Sequence, residues 1–337
     1  AQLSRGLGDV YKRQASSPSA IPVLKKWKKS HGFRYAYLLP PEKKEDVALF
    51  FKKLNPELLV LSQSDVWPLL FKKAKDELKK GAIWIPHKQN SARLWKSSHL
   101  KYFVKTVATR EQINIPLIEN THQIFIGNPR IDRIVDRIEN SKINSTPHPL
   151  VNQGFQFKAD ENKIHILLAS IWKEDARIWE SALRILSPEN RARLSIASVP
   201  HEPDNIVELS HINALAENKW SNFSIKGQLL ESYAQFDLCY VGGGFKTGLH
   251  SILEPAICGI PTLCGPDTRK QSDAPRLSKA NTLLPFKNSQ ELANKLEVLI
   301  NNSDILPHWK STCLKISQAY RAELGAPQKL AEIVCRS

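Results

Sequence analysis

The chain has 337 residues and no methionine, where ordinary usage of roughly 2% leads one to expect about six or seven. With 42% hydrophobic and 24% charged residues, and no apolar run near the ~20 residues of a spanning helix, disordered, fibrous and membrane-spanning classes are excluded. The formal net charge of +15 is uneven: residues 1–150 hold 27 Lys and Arg against 13 Asp and Glu, and residues 151–337 hold 21 against 20.

The chain begins at Ala1, so it reads as a fragment of a longer product. Residues 1–14 (AQLSRGLGDVYKRQ) have no helical or strand periodicity and are set aside as a non-native leader. From there apolar, β-branched runs alternate with amphipathic stretches. Strands are predicted at 34–39, 58–62, 82–86 and 123–126, and helices at 43–54 and 66–80. That alternation calls for βαβ units around a parallel sheet. Lys25, Lys26, Lys28 and Lys29 form one basic cluster, and Lys72, Lys73, Lys75, Lys79 and Lys80 another. Helical spacing spreads Lys72, Lys75 and Lys79 along one face, as on a helix that lies on an anionic membrane surface or simply faces water.

The polar stretch 140–154, with Pro147 and Pro149, is the predicted linker. Beyond it strands are predicted at 164–169, 194–198, 223–226, 238–241 and 261–264. Helices are predicted at 174–186, 206–216, 249–258, 289–301 and 309–324. The expected architecture is α/β: an incomplete Rossmann-like domain over 15–145, a second over 155–337 whose last helix crosses back, and a cleft between them. Cys239, Cys258, Cys264, Cys313 and Cys335 have no C-x-x-C spacing, so zinc and disulfide frameworks are poorly matched and a reducing compartment is expected.

The segment 237–266 (DLCYVGGGFKTGLHSILEPAICGIPTLCGP) carries the most chemistry. A buried strand runs into Gly242, Gly243 and Gly244, and a helix is expected to begin near Thr247 or Gly248. Glycines let backbone N–H groups approach a ligand closely, and a helix start favours an anion. Glu254 follows Thr247 by seven residues, two helical turns, where a carboxylate suits sugar hydroxyls. Pro255 calls for a kink or a short first helix. A tight strand-to-helix turn without a ligand is the plainer alternative.

This segment resembles the nucleotide-sugar motif of the 3-deoxy-D-manno-octulosonic acid (Kdo) transferases. Gly243, Gly244, Gly248, His250, Glu254, Ala256, Gly259, Pro261, Gly265 and Pro266 fit it, and Ser251 replaces the usual Asn. Further stretches follow in the family's order. Asn90-Ser91-Ala92-Arg93-Leu94 is similar to N-A-R-L, and Gly127-Asn128-Pro129-Arg130-Ile131-Asp132 to G-N-x-K-x-D. Ser170-Ile171-Trp172-Lys173-Glu174-Asp175 is similar to S-T-W-x-E-D, and Pro200-His201-Glu202 to P-H-E. Gln63-Ser64-Asp65-Val66-Trp67-Pro68 is similar to E-T-E-L-W-P.

The resemblance implies a glycosyltransferase B-type fold and inverting transfer of Kdo from CMP-Kdo to a lipid A precursor at the cytoplasmic face of the bacterial inner membrane. It implies no cofactor or metal, an anionic membrane surface for the basic half, no nucleic-acid partner and a monomer. Donor-binding candidates are Ser170, His201, Glu202, Gly243, Gly244, Lys246, Thr247, Ser251 and Glu254. Arg93 and Arg130 are candidates to grip a carboxylate or phosphate in bidentate fashion. Ser170 is alternatively a plain N-cap for the helix expected near Glu174. Trp67 and Trp172 are expected to be packing residues.

The family's general-base Glu lies in an N-terminal S-x-G-E segment, and nothing in residues 1–32 matches it. The chain is therefore expected to lack that base and the family's membrane anchor, and to retain donor binding without robust transfer. Another glycosyltransferase or an epimerase would share the glycine-rich turn and Glu254 without requiring the other motifs. A nucleic-acid-binding protein would use the basic half, but no zinc-finger, RNP-type or helix-turn-helix signature appears.

Overall fold

The computed structural model describes residues 43–62, 68–79, 81–85, 104–109, 122–143, 150–151, 163–201, 220–225 and 227–336. The described residues fall into two compact units, one drawn from Ala1–Asp132 and Leu324–Ser337 and the other from Arg133–Glu323.

The first unit is built from α1 (Lys44–Leu54), β1 (Leu58–Ser62), α2 (Pro68–Glu77), β2 (Gly81–Ile85), β3 (Val104–Thr109) and β4 (His122–Phe125), followed by the start of α3 (Pro129–Ile143). Its strands pair in parallel in the order β1-β2-β3-β4. Acidic Glu45 and Asp46 open α1 and basic Lys52 and Lys53 close it, matching the helix dipole at both ends. Asn55, at φ 44°, turns the chain out of the helix and donates its N–H to the Phe51 carbonyl at 2.8 Å. Val47 and Phe51 of α1 bury against Leu70, Ala74 and Leu78, whose four-residue spacing puts them on one face of the α2 segment. Pro68 opens α2, where its missing N–H costs nothing. At the start of α3, Asn128 Oδ1 accepts the Arg130 N–H at 3.2 Å.

The second unit runs β5 (Ile164–Ile171), α4 (Lys173–Ile185), α5 (Pro188–Ala192), β6 (Leu194–Pro200), β7 (Trp220–Asn222), α6 (Leu229–Ser232), β8 (Leu238–Val241), α7 (Leu253–Cys258), β9 (Thr262–Cys264), α8 (Ala274–Lys279), β10 (Leu283–Pro285), α9 (Ser289–Asn301) and α10 (Ile305–Arg321). All strands are parallel, in the order β10-β9-β8-β5-β6-β7. Ile166 and Leu168 of β5 and Tyr240 of β8 are buried, as expected for strands covered on both faces. On one face Ala176, Trp179 and Leu183 of α4 meet Leu292, Leu296 and Leu299 of α9 in a single core. After α10, Leu330 and Ile333 of α11 (Ala326–Arg336) pack on the core of the first sheet with Ile83, Ile85, Ala108 and Ile126. Gly325, at φ 112°, donates its N–H to Asp132 Oδ1 at 2.7 Å where the chain enters that helix.

Several predicted elements need correction. The first residues of the predicted linker, 140–143, continue α3, because the breaking prolines come only at Pro147 and Pro149. The strand predicted at 223–226 is displaced to Trp220–Asn222; Phe223 already leaves the sheet, donating its N–H to the Ser198 carbonyl at 2.8 Å. The expectations over 34–39 and 206–216 lie outside the described residues.

Candidate functional site

Strand β5 is the centre of the second sheet, with β8 on one side and β6 on the other. Chain order reverses there, so the carboxyl ends of β5 and β8 flank the switch point at which open α/β sheets gather ligands. Ser170 is the penultimate residue of β5 and Gly242 follows β8.

Ser170 is a bulge residue: Ala169 pairs with Val199 and Ile171 with Pro200, leaving Ser170 out of register. Its φ is 54°, a left-handed conformation that costs a non-glycine residue energy and marks a constrained site. The constraint is steric. A Cβ on Gly242 would lie 2.2 Å from the Ser170 carbonyl oxygen and 2.7 Å from the Ile171 Cα, so β8 can approach the bulge only through a glycine. Gly243 and Gly244 follow at φ 92° and 89°. A Cβ on Gly243 would meet the Gly248 carbonyl oxygen at 2.3 Å, and one on Gly265 would meet the Gly243 carbonyl oxygen at 2.5 Å. Three backbone segments are thus interlocked without side chains between them.

The helix expected at Thr247 or Gly248 begins instead at Leu253. Residues between form a loop closed by Gly244 N–H to the Thr247 carbonyl at 2.9 Å and His250 N–H to the Gly242 carbonyl at 3.1 Å. Pro255 explains the late start: it falls in the first turn of α7, where no N–H is required, and could not have occupied the interior of a helix begun at Gly248. Glu254 therefore lies in the first turn of a six-residue helix, and no helical face joins it to Thr247. It is half-buried, and its charge is coupled to Arg133 of α3.

The expectation that Ser170 caps the next helix is also corrected. Trp172 is the N-cap of α4, and Asp175 reaches back to accept its N–H at 2.8 Å. Asp175 is 1% exposed and also accepts the Tyr240 hydroxyl at 2.7 Å and the Gly243 N–H at 3.0 Å. Burial pushes its pKa up, and these hydrogen bonds pull it part of the way back. Although the S-T-W-x-E-D match covered Asp175, sequence reasoning gave it no role; only the fold shows that its partners come from three places in the chain.

Of the amide groups around Gly243–Thr247 that were expected to face an anion, the first two are engaged within the protein. Gly243 gives its N–H to Asp175 and Gly244 to Thr247, so neither is available. Among the described residues, the N–H groups of Phe245, Lys246, Thr247 and Gly248 have no acceptor. Lys246 adds a charge to this run, with a side chain 85% exposed and 3.1 Å from Glu174. Successive backbone N–H groups beside a lysine make a concavity suited to a phosphate.

An aromatic stack closes the other side of β5. Trp172 lies 4.3 Å from the His201 ring and 5.7 Å from the His250 ring, and the two imidazoles are 4.4 Å apart. His201 is exposed and anchored through its N–H to the Ile171 carbonyl at 2.9 Å. His250 Nε2 is buried without a hydrogen-bond partner among the described residues. Burial, and then the neighbouring His201, lower its pKa to about 4, so the ring is neutral at pH 7. His201 is the middle of this stack, and Trp172, expected to pack, forms one end of it.

Ser170 lies at the carboxyl end of β5, and His201, Gly243, Gly244, Lys246, Thr247, Ser251 and Glu254 lie on the loops that follow β6 and β8 or on the first turn of α7. Ser251 is half-buried. Arg130 is on α3 in the first unit, whereas Arg93, Trp67 and Glu202 lie outside the described residues. No group of three or more His, Cys, Asp or Glu suited to a metal occurs among the described residues. No helix among them is long and apolar enough to cross a membrane.

No protein-family model matches the chain. Over 306 residues it is 24% identical to the 3-deoxy-D-manno-octulosonic acid transferase of Rickettsia bellii, covering 82% of this chain and 70% of that protein. Over 260 residues it is 24% identical to the transferase of the same name from Chlamydophila psittaci, covering 70% of this chain and 58% of that one. The chain thus matches between about three-fifths and seven-tenths of these relatives' lengths. Among solved structures, the UDP-GlcNAc 2-epimerase of Neisseria meningitidis bound to UDP-GlcNAc superposes with a TM-score of 0.61 at 15% identity, over 87% of this chain and 80% of that one. The fold is of the glycosyltransferase B type, and the chain is a glycosyltransferase. Its sequence relatives are the Kdo transferases.

Proposed function

We propose that the chain binds CMP-Kdo as part of an inverting transfer of Kdo to a lipid A precursor at an anionic membrane surface, with transfer by these residues weak because residues 1–32 hold no match to the family's general-base segment. The observation that carries this reading is the run of N–H groups from Phe245 to Gly248, without an acceptor among the described residues, beside Lys246 in the segment that resembles the Kdo transferase motif. Departure of CMP leaves a phosphate monoester dianion. Preorganised amide donors and a lysine stabilise that developing charge at little reorganisation cost. Glu254 supplies acceptors for sugar hydroxyls, and the His250 and His201 rings offer a flat surface for the donor. Ser170 and Ser251 supply short hydroxyls, and the family motifs extend the set to Glu202, with Arg93 and Arg130 as partners for a carboxylate or phosphate.

The direct test is calorimetry with CMP and with UDP on the purified chain. Selective CMP binding is expected, and a preference for UDP would overturn the reading in favour of another sugar-nucleotide enzyme.

A further inference from the structure

We propose that Asp175 is a positioning residue for donor binding: its buried carboxylate sets the glycine turn so that the N–H groups after it, not those within it, face the phosphate. The inference rests on the donor-binding reading and adds to it a residue that never touches the ligand.

The geometry is specific. Oδ2 accepts from both Trp172 N–H at 2.8 Å and Gly243 N–H at 3.0 Å, while Oδ1 accepts the Tyr240 hydroxyl at 2.7 Å. One side chain therefore ties the start of α4, the end of β8 and the glycine turn together. Gly243 at φ 92° has no side chain to fix it, so its orientation must come from what its N–H and carbonyl meet. The carboxylate captures that N–H. The chain can then reverse through Gly244, whose own N–H closes on the Thr247 carbonyl at 2.9 Å, and the next amides are left open. Through the Trp172 N–H the same oxygen also fixes the residue on which His201 and His250 stack.

A buried anion beside a phosphate site is electrostatically adverse and needs compensating donors. Asp175 meets that adversity with three donors, two of them backbone groups that would otherwise be unpaired.

The test compares Asp175→Ala and Asp175→Asn with the native chain by CMP calorimetry and by amide hydrogen exchange at Gly243. Asp175→Ala is expected to weaken CMP binding at least tenfold and to speed Gly243 exchange at least tenfold. Asp175→Asn is expected to stay within about threefold in both, because its amide oxygen can take both N–H groups while its NH2 meets the Tyr240 oxygen. Should Asp175→Ala not fold, Asp175→Leu keeps the packed volume and carries the same expectation. CMP affinity unchanged in the folded Ala or Leu variant, or Gly243 exchange unchanged, overturns the proposal. Failure of the native chain to bind CMP overturns the donor reading instead, and the exchange measurement, which needs no nucleotide, still judges Asp175.

Discussion

The N–H of Gly243 donates to Asp175 Oδ2 at 3.0 Å, joining residues 68 apart in the chain. A glycine that looked from its sequence like a ligand-binding donor is thereby part of the scaffold. The N–H groups without an acceptor among the described residues are those of the four residues that follow Gly244.

Because a Cβ at Gly242 would lie 2.2 Å from the Ser170 oxygen, Gly242→Ala must displace the bulge at the end of β5. A loss of about 2–3 kcal/mol in unfolding free energy is expected, the upper range for overpacking. Gly248 has nothing within 4 Å of a built Cβ, and Gly248→Ala is expected to change stability by less than about 0.5 kcal/mol. Denaturant melts of the two variants side by side check both.

His250 is pulled from 6.5 to about 4, so between those values the unfolded chain binds a proton that the folded one refuses. Stability therefore rises with pH through that window and is lost as pH falls from about 6.5 towards 4. The expected loss is about 1–2 kcal/mol, less than the full shift would give because the ring is partly open to solvent. His250→Gln should flatten the pH dependence of urea unfolding over that range.

Arg137 holds Glu231 through Nη2 at 2.6 and 2.8 Å and through Nε at 3.2 Å, and also donates to the Gly227 carbonyl at 2.8 Å. The pair ties α3 to the segment before β8 and is mostly shielded from water, with side-chain exposures of 29% and 22%. Arg137→Ala should cost about 1–2 kcal/mol. A double-mutant cycle with Glu231→Ala should recover about 1 kcal/mol of coupling; additive losses would contradict it.

Lys246 is exposed, and its one ion pair, with Glu174, is a surface pair of little energetic weight. Lys246→Ala is expected to leave the melting temperature within about 1 °C while weakening CMP binding five- to tenfold, more at low salt than at high. Titrations at two ionic strengths separate this from a folding effect.

On α2 and the two residues after it, Lys72, Lys75 and Lys79 are exposed while Leu70, Ala74 and Leu78 are buried. If the basic half meets an anionic bilayer, changing the three lysines to Glu should cut binding to phosphatidylglycerol-rich vesicles at least tenfold, at about 1 kcal/mol per charge. Vesicle sedimentation that is unchanged would remove this face from the membrane reading.

Much of the fold was legible because periodicity is strong where elements are long or buried. The helix over Ser289–Asn301 was predicted at its observed limits: Asn288 caps it by accepting the Glu291 N–H, and Leu292, Leu296 and Leu299 mark its inner face. Short pieces such as Leu283–Pro285 and Ala274–Lys279 carry too few residues to show a period, and they were missed. The site was legible in its residue types and not in its connections. Gly242-Gly243-Gly244 announced a close backbone approach, and Gly248 and Gly265 belong to the same segment, but the partner Ser170 lies 72 residues before Gly242, where no local pattern links the two. Pro255 did carry the information that the helix starts late; its weight was misjudged because the glycines seemed to lead straight into a helix.

The bulge at Ser170 has one more consequence. A backbone held at φ 54° by the bare backbone of Gly242 is set from outside, so its geometry depends on a residue 72 positions away. Drift at one position is therefore answerable to the other. Replacing Ser170 by Gly would relax the turn, yet it would leave the carbonyl that faces Gly242 in place, so position 242 stays closed to any side chain whatever residue stands at 170.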